Sequence, residues 1–230
     1  MEVELREMLL SRGASVVAYA DLRALPADAR GGMPFGVSVA VALNGEILNE
    51  IATGPTAAYW DEYNRVNALL DELAKAAIGF LTERGFRAVA AAASGRVDPE
   101  TLTTRLPHKT VATRAGLGWI GKTALLITKR FGSGVRLTSI LTDAPLPAGE
   151  PVDESQCGEC RLCATACPAQ ASRDRLWTAG MERADIYDAF ACRRTASELA
   201  RKAGAGKSIC GICISVCPWT RRYIDADERG

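Results

Sequence analysis

The sequence predicts an α+β fold in two parts: a sandwich-like α/β domain over residues 1–150 and a small cysteine-rich domain over residues 151–230. Three observations predict it. All eight cysteines fall within residues 157–217. Ahead of them, short valine-rich runs bounded by glycine and proline are interspersed with stretches of helical period. Between the two parts, residues 144–151 hold three prolines and read as a linker.

Residues 2–12 read as a short amphipathic helix that ends near Gly13. Residues 16–19 and 36–43 are strands, separated by a loop with the pair Gly31-Gly32. The second strand ends at Asn44-Gly45, a turn dipeptide expected to open a hairpin with residues 47–51. From 56 to 84 the pattern turns helical, with Tyr63, Val66, Leu69, Leu70, Leu73, Ala77, Phe80 and Leu81 at three- and four-residue spacing. Thr56 can start this helix and Gly85 can stop it. Its first turns carry Tyr59, Trp60, Tyr63, Asn64 and Asn67, which suit a helix packed on a sheet or one lining a flat cofactor. Residues 86–93 read as a buried strand and 96–106 as a polar loop turning at Asp98-Pro99. A helix over 107–115 and strands over 124–128 and 136–142 complete the first part.

A hydrophobic share of 48% and a formal net charge of +1 over 230 residues describe a chain able to bury a core. No apolar run is long enough to cross a membrane. The amino terminus, Met1-Glu-Val-Glu-Leu-Arg-Glu, is charged and unlike a signal peptide, so reduced cysteines and a cytoplasmic location are expected.

The cysteines form two runs. The first, Cys157-x-x-Cys160-x-x-Cys163-x-x-x-Cys167-Pro168, has the spacing of bacterial 4Fe–4S proteins, and the second opens with Cys192 and closes as Cys210-x-x-Cys213-x-x-x-Cys217-Pro218. Three cysteines at i, i+3 and i+6 wrap one face of a cube, while the cysteine before proline points away to the other cluster. One cluster is therefore assigned Cys157, Cys160, Cys163 and Cys217, and the other Cys167, Cys192, Cys210 and Cys213. This makes the second part ferredoxin-like. Disulfides belong to oxidising compartments, and zinc sites usually show two separate Cys-x-x-Cys knuckles. Residues 157–222 carry 11 lysines and arginines against 6 acidic residues, whereas residues 1–156 carry 16 against 18. The basic excess can attract an acidic donor protein or a nucleic acid, or simply balance anionic clusters.

Gly116 to Thr123 satisfies the phosphate-loop pattern G-x-x-x-x-G-K-[ST], and Gly116, Gly118 and Gly121 satisfy G-x-G-x-x-G. Both patterns need a strand before and a helix after. Here a helix precedes and a strand follows, and Trp119 sits where backbone must approach phosphate. Asp143 can only pose as the magnesium-side carboxylate.

Several stretches together resemble the epoxyqueuosine reductase family: Arg114-Ala-Gly-Leu-Gly-Trp-Ile-Gly-Lys122, Leu-Leu-Ile at 125–127, Ile-Leu-Thr-Asp at 140–143, the first cysteine run, Cys192, and Cys210 through Trp219. Reductive dehalogenases share the general plan. The resemblance implies an N-terminal domain that binds cobalamin and a domain with two 4Fe–4S clusters passing single electrons to cobalt. It implies removal of the epoxide oxygen from a modified tRNA base, giving queuosine. A donor such as ferredoxin or flavodoxin and tRNA are the implied partners. Tyr63, Gly118, Trp119 and Lys122 are the cofactor-binding candidates, although Gly118 and Trp119 also suit a helix-to-strand turn.

The chain departs from the family at the proton donor, which must protonate the departing oxygen. The family's catalytic aspartate lies a dozen or so residues ahead of Ala-Gly-Leu-Gly-Trp. Leu102 stands there in this chain, followed by Thr103 and Thr104. Asp98 and His108, the sole histidine, are the candidate catalytic acids, with Tyr59 and Tyr63 behind them; His108 equally suits a surface helix start. The family's C-terminal helical repeats are absent from this sequence. The competing reading is a two-cluster electron carrier that reduces a partner such as a corrinoid protein.

Overall fold

Two eight-residue strands, β2 (Phe35–Ala42) and β6 (Val135–Thr142), are buried along most of their length instead of alternating. Strands covered on both faces read as continuous apolar runs and take the centre of a sheet. The sheet order is β1–β2–β6–β3, with β1 (Val16–Asp21) and β3 (Ala88–Ala90) at the edges. β1 pairs antiparallel with β2 from Val16↔Ala40 to Asp21↔Phe35, and β3 pairs antiparallel with β6 from Ala88↔Thr142 to Ala90↔Ile140. This computed structural model describes residues 1–91, 98–206 and 208–227.

The chain divides into two compact units. The first holds residues 1–41, 66–118 and 136–152; the second holds 42–65, 119–135 and 153–230. The chain thus passes between units several times and not once near residue 150, because a long helix and two central strands carry it across. The helix over residues 56–84 is α3 (Ala57–Thr82), whose start is capped by the Thr56 hydroxyl accepting from the Tyr59 amide at 3.1 Å.

In the first unit, α1 (Glu2–Ser11) buries Leu5 and Leu9, and both α1 and α4 (His108–Arg114) pack on β1. Residues 144–151 are not a free linker. Ala144 and Leu146 are buried, and the Gly149 amide donates to the Tyr19 carbonyl at 2.9 Å. A Cβ on Gly149 would stand 2.4 Å from the Ala115 carbonyl oxygen, and one on Gly116 would stand 2.7 Å from the Glu150 carbonyl oxygen. Gly116 is also left-handed, at φ +72°. The first glycine of the apparent phosphate loop therefore serves a close backbone approach. Asp143, the apparent magnesium ligand, is engaged by Arg87, whose Nε donates to it at 2.8 Å.

In the second unit the expected hairpin over 47–51 is instead a helix, α2 (Gly45–Glu50). Asn44 is its N-cap: the side-chain oxygen accepts from the Ile47 amide at 3.1 Å. Asparagine suits both a turn and a cap, and the buried Leu48 selects the helical period. Strands β4 (Trp119–Ile120) and β5 (Leu126–Ile127) form a two-stranded hairpin after α4. Helix before and strand after is the reverse of a phosphate loop. The cysteine segment supplies α5 (Leu162–Thr165), α6 (Arg183–Ile186), α7 (Ala189–Lys202), α8 (Ile212–Ser215) and α9 (Pro218–Asp227). Gly132, at φ +56°, lets the β5 turn meet α9, because a Cβ there would lie 2.2 Å from the Thr220 nitrogen. Of the expected strand over 86–93, residues 92 and 93 lie outside the described residues, as do Arg96 and Val97 of the loop after it.

Gly116→Ala places a side chain on a left-handed backbone against the Glu150 carbonyl. We expect a loss of about 1–3 kcal/mol, read as a lower urea midpoint at unchanged iron content. An unchanged midpoint would remove the packing role given to this glycine.

Candidate metal centre

All eight cysteines are free thiols, and only Cys217 is fully buried. They act on one another in two groups. Burial raises the Cys163 thiol first, and the charges of Cys157, Cys217 and Cys160 then push it up to about 11. Cys192 is raised by burial, opposed by the Tyr187 hydroxyl, and raised again by Cys167. Cys210 is raised by burial and then, against the Ile212 amide, by Cys192 and Cys167. Cys213 is raised by burial and by Cys210 and Cys192, with smaller effects from Cys163 and Cys167. Most of these pairs fall within the quartets that the spacing assigns. Cys213 and Cys163 are where they meet.

The first quartet surrounds a cavity of about 90 Å³. Cys157, Cys160, Cys163, Cys213 and Cys217 line it, together with Lys122, Thr123, Ile127, Ser133, Pro218 and Trp219. Gly158, at φ +53°, turns the loop after Cys157, and the Cys160 amide donates to the Cys157 carbonyl at 3.3 Å. Gly121 lets the β4–β5 hairpin lie against the ligands: a Cβ there would be 2.5 Å from Ile127 Cδ1 and 3.5 Å from Cys157 Sγ. Burial raises the Cys217 thiol, while the Thr220 and Trp219 amides and the Thr220 hydroxyl oppose that rise. Proline begins α9 right after Cys217, where its missing N–H costs nothing.

In the second quartet, Cys167 Sγ accepts from the Ala171 amide at 3.5 Å. Ser172 then bridges to Tyr187, whose hydroxyl pKa is raised by burial first and then by the charge of Cys192, to which it donates. Gly211, at φ +90°, is the N-cap of α8 between Cys210 and Cys213. A Cβ on it would meet Ile51 Cδ1 at 2.4 Å.

The residues fit two 4Fe–4S cubes. Four thiols held together and desolvated resist ionisation, so the thiolates form only when a cationic centre takes them. Buried donors without partners among the described residues flank the ligands: the hydroxyls of Ser155 and Ser215 and the indole N–H of Trp119. Such donors suit cluster sulfur as acceptor. No three ligand-type side chains among the described residues converge on the spacing of one ion. A cube with an iron at each corner holds its thiolates further apart than a single tetrahedral zinc does.

Lys122 is the principal charge at the first quartet. Its side chain is 5% exposed, and Nζ donates to Asp174 at 2.9 Å. Asp174 is also held by Arg161, sits at φ +54°, and is kept below the usual carboxylate range chiefly by the Lys122 hydrogen bond. The Ser172 hydroxyl donates to the Lys122 carbonyl at 2.8 Å. Residues 171–174 thus touch a ligand of one quartet and the buried lysine of the other. Asp174 and Tyr187 carry no motif and were not among the expected site residues; the only sequence signal is that Tyr187 lies five residues before Cys192.

The other expected site residues scatter. Trp119 is buried and packs edge-on against Trp219, with ring centroids 5.0 Å apart. Tyr63 stacks on Trp60 at 5.7 Å. Gly118 ends the middle stretch of the first unit, while Tyr63, Trp119 and Lys122 belong to the second. Asp98 is exposed, and its carboxylate accepts from the Glu100 amide at 2.8 Å within its own turn. His108 starts α4; burial, then the charge of Arg136, holds its imidazole below the ordinary range. It is therefore neutral at pH 7, and its Nδ1 has no partner among the described residues.

Residues 156–220 match the family described as a 4Fe-4S double cluster binding domain. Curated relatives extend the likeness beyond the cysteines. The chain is 35% identical over 123 residues to the epoxyqueuosine reductase of Vibrio cholerae, covering 50% of this chain and 31% of that protein. For the Escherichia coli epoxyqueuosine reductase the values are 34% over 115 residues, 50% and 30%. The chain resembles the epoxyqueuosine reductases. The matched stretch spans about a third of these relatives' length. Among solved structures, an epoxyqueuosine reductase aligns with TM-score 0.62 and 20% identity over 95% of this chain and 65% of its own. The catabolic reductive dehalogenase NpRdhA aligns with TM-score 0.72 and 17% identity over 97% of this chain and 33% of its own. These likenesses share a fold of mixed helices and sheet. No helix among the described residues is long and apolar enough to cross a membrane.

Lys122→Met removes the buried cation beside the first quartet while Arg161 still neutralises Asp174. Reduction adds negative charge, so one of two cluster potentials is expected to fall by tens of millivolts; about 59 mV is tenfold for a one-electron couple. Lys122→Arg should restore it. An EPR redox titration with both potentials unmoved would contradict the role given to Lys122.

Proposed function

We propose that the chain is an iron–sulfur oxidoreductase of the epoxyqueuosine reductase type, with the cysteine-bearing unit (residues 42–65, 119–135 and 153–230) as a ferredoxin-like two-cluster domain and the other unit as the cofactor and substrate domain. The observation that carries the reading is the joint placement of the Gly121–Lys122 hairpin and the crossed cysteines around one cavity. The hairpin belongs to the stretch that resembles the reductases, so the likeness and the metal centre meet at one place.

The reaction class sets the electron count. Converting an epoxide to an alkene and water takes two electrons and two protons. Two cubes, each a one-electron centre, hold that pair of electrons for one turnover. Clusters of this kind reach strongly negative potentials, set by hydrogen bonds to sulfur, net charge and exposure. In this chain Lys122 opposes the charge added to the first cube, while Tyr187 donates to Cys192 at the second. Amides at Ala171 and Ile212 donate to Cys167 and Cys210. The Trp119–Trp219 pair keeps bulk apolar surface beside the first quartet, which limits water there.

Cobalamin enters on likeness alone: one neighbour with TM-score 0.72 is described as a B12-dependent dehalogenase. A tRNA substrate is proposed on the same footing, since one aligned epoxyqueuosine reductase is described with an epoxyqueuosine-modified tRNA stem loop. The electron donor is proposed to be a ferredoxin or flavodoxin.

A second reading is a two-cluster carrier that reduces a separate corrinoid protein. It is favoured by the proton donor: Asp98 is turned into its own loop, His108 is half-buried with its pKa lowered by burial and by Arg136, and Leu102 holds the family's aspartate position. The test is anaerobic turnover of reconstituted protein with a low-potential reductant, cob(II)alamin and an epoxyqueuosine stem loop. The reductase reading predicts nucleosides lacking one oxygen in excess of enzyme. Fully reduced clusters without any such product would leave the carrier.

A further inference from the structure

We propose that the exposed face of α7, with the groove beside it, is the docking surface for a small acidic one-electron carrier protein that loads the second quartet. The proposal rests on the two-cluster reading of residues 156–220.

Helix α7 carries Cys192 in its first turn. Ala196 and Ala200 form its buried side. Phe190, Arg193, Ser197 and Arg201 recur at three- and four-residue spacing along an adjoining stripe, and all four are exposed. Phe190 is 43% exposed, one of few large apolar side chains so placed. Arg194 and Lys202 are exposed too. None of these four cations is in an ion pair among the described residues.

Helix stability does not explain the placement of all of them. Arg201 and Lys202 sit in the last turn, where the helix dipole favours cations. Arg193 and Arg194 sit in the second turn, beyond the reach of the dipole at either end. They stand directly after a cluster ligand, with Asp188 capping the helix at 3.0 Å and 2.9 Å to the Phe190 and Ala191 amides. An apolar anchor ringed by unpaired cations is the make-up of an interface steered by charge.

The groove continues this face. It encloses about 490 Å³ between Ser197 and Arg201 on α7 and Gly204, Gly206 and Ser208 on the following loop. The Ser208 hydroxyl fastens loop to helix by donating to the Arg193 carbonyl at 3.1 Å. Both walls lead into ligands of the second quartet: α7 begins at Cys192, and the loop runs into Cys210. A carrier seated here would cover the helix whose first turn carries Cys192. The occupant is acidic because the face is basic, and redox-active because the helix it covers carries the cluster ligand Cys192. Electron-transfer complexes are small, which suits a patch of one helix and one loop. In the transfer the carrier loses one electron, the cube gains it, and no bond forms or breaks.

The test uses fully reconstituted protein and flavodoxin as the probe. Binding is measured by calorimetry, and reduction of the clusters by photoreduced flavodoxin in stopped flow. Arg193→Glu/Arg194→Glu is expected to weaken binding at least tenfold and to flatten the salt dependence of the bimolecular rate. Phe190→Ala should weaken binding with the salt dependence kept. Lys75→Glu, a surface reversal elsewhere, should change neither. Reduction by a neutral photochemical deazaflavin radical should be the same in all variants. Equal binding in all of them, equal losses with Lys75→Glu, or no binding of flavodoxin by the unaltered protein would overturn the docking surface. A protein that holds no reducible iron would instead overturn the two-cluster reading on which it rests.

Discussion

The second unit is built around an electrostatic difficulty: four sulfurs brought together and taken out of water repel one another as thiolates. Burial is the largest cause of the raised pKa at Cys163, Cys192, Cys210, Cys213 and Cys217, and neighbouring sulfurs come after it. Only a cationic centre turns that repulsion into binding. The rest of the unit serves this need. Gly158 and Gly211 turn loops so that backbone amides reach sulfur, and Gly121 and Gly132 let neighbouring turns close without a side chain in the way.

Charge is then placed unequally at the two quartets. The first has a buried ammonium, Lys122, restrained by Asp174 and Arg161. The second has a neutral donor, Tyr187, and carries its arginines outside on α7. A buried cation favours the reduced form of its neighbour more than a neutral hydroxyl does, because the low-dielectric interior screens it less. The two quartets therefore differ in the charge set beside them. Segment 171–174 joins them through Ala171, Ser172 and Asp174.

What the sequence made legible follows the reach of each interaction. The ligand grouping is read from i, i+3 and i+6 spacing, which is local, and from Cys-Pro, which announces a sulfur directed elsewhere. The phosphate-loop pattern was rejected for the right reason, the reversed order of helix and strand, and the structure adds what Gly116 is for. The helix α2 was missed because Asn44-Gly45 suits a hairpin as well as a cap, and only the packing of Leu48 decides. Lys122 was placed with a corrin because its motif resembles the reductases; its side chain goes to the cysteines because Asp174, fifty-two residues on, fixes it there. Such a pairing leaves no local pattern. The interleaving of the two units was illegible for the same reason, since α3 and the central strands cross the boundary without any change in composition.

The most direct measurement is iron content and EPR of reduced protein for Cys217→Ser beside Cys192→Ser. Crossed ligation predicts that each variant keeps about four of about eight irons, and that each loses a different one of the two reduced-cluster signals. In particular Cys217→Ser should abolish the cluster of Cys157, Cys160 and Cys163, although it lies in the other run of cysteines. Loss of the same signal in both variants, or of all iron in either, would contradict two cubes with exchanged ligands.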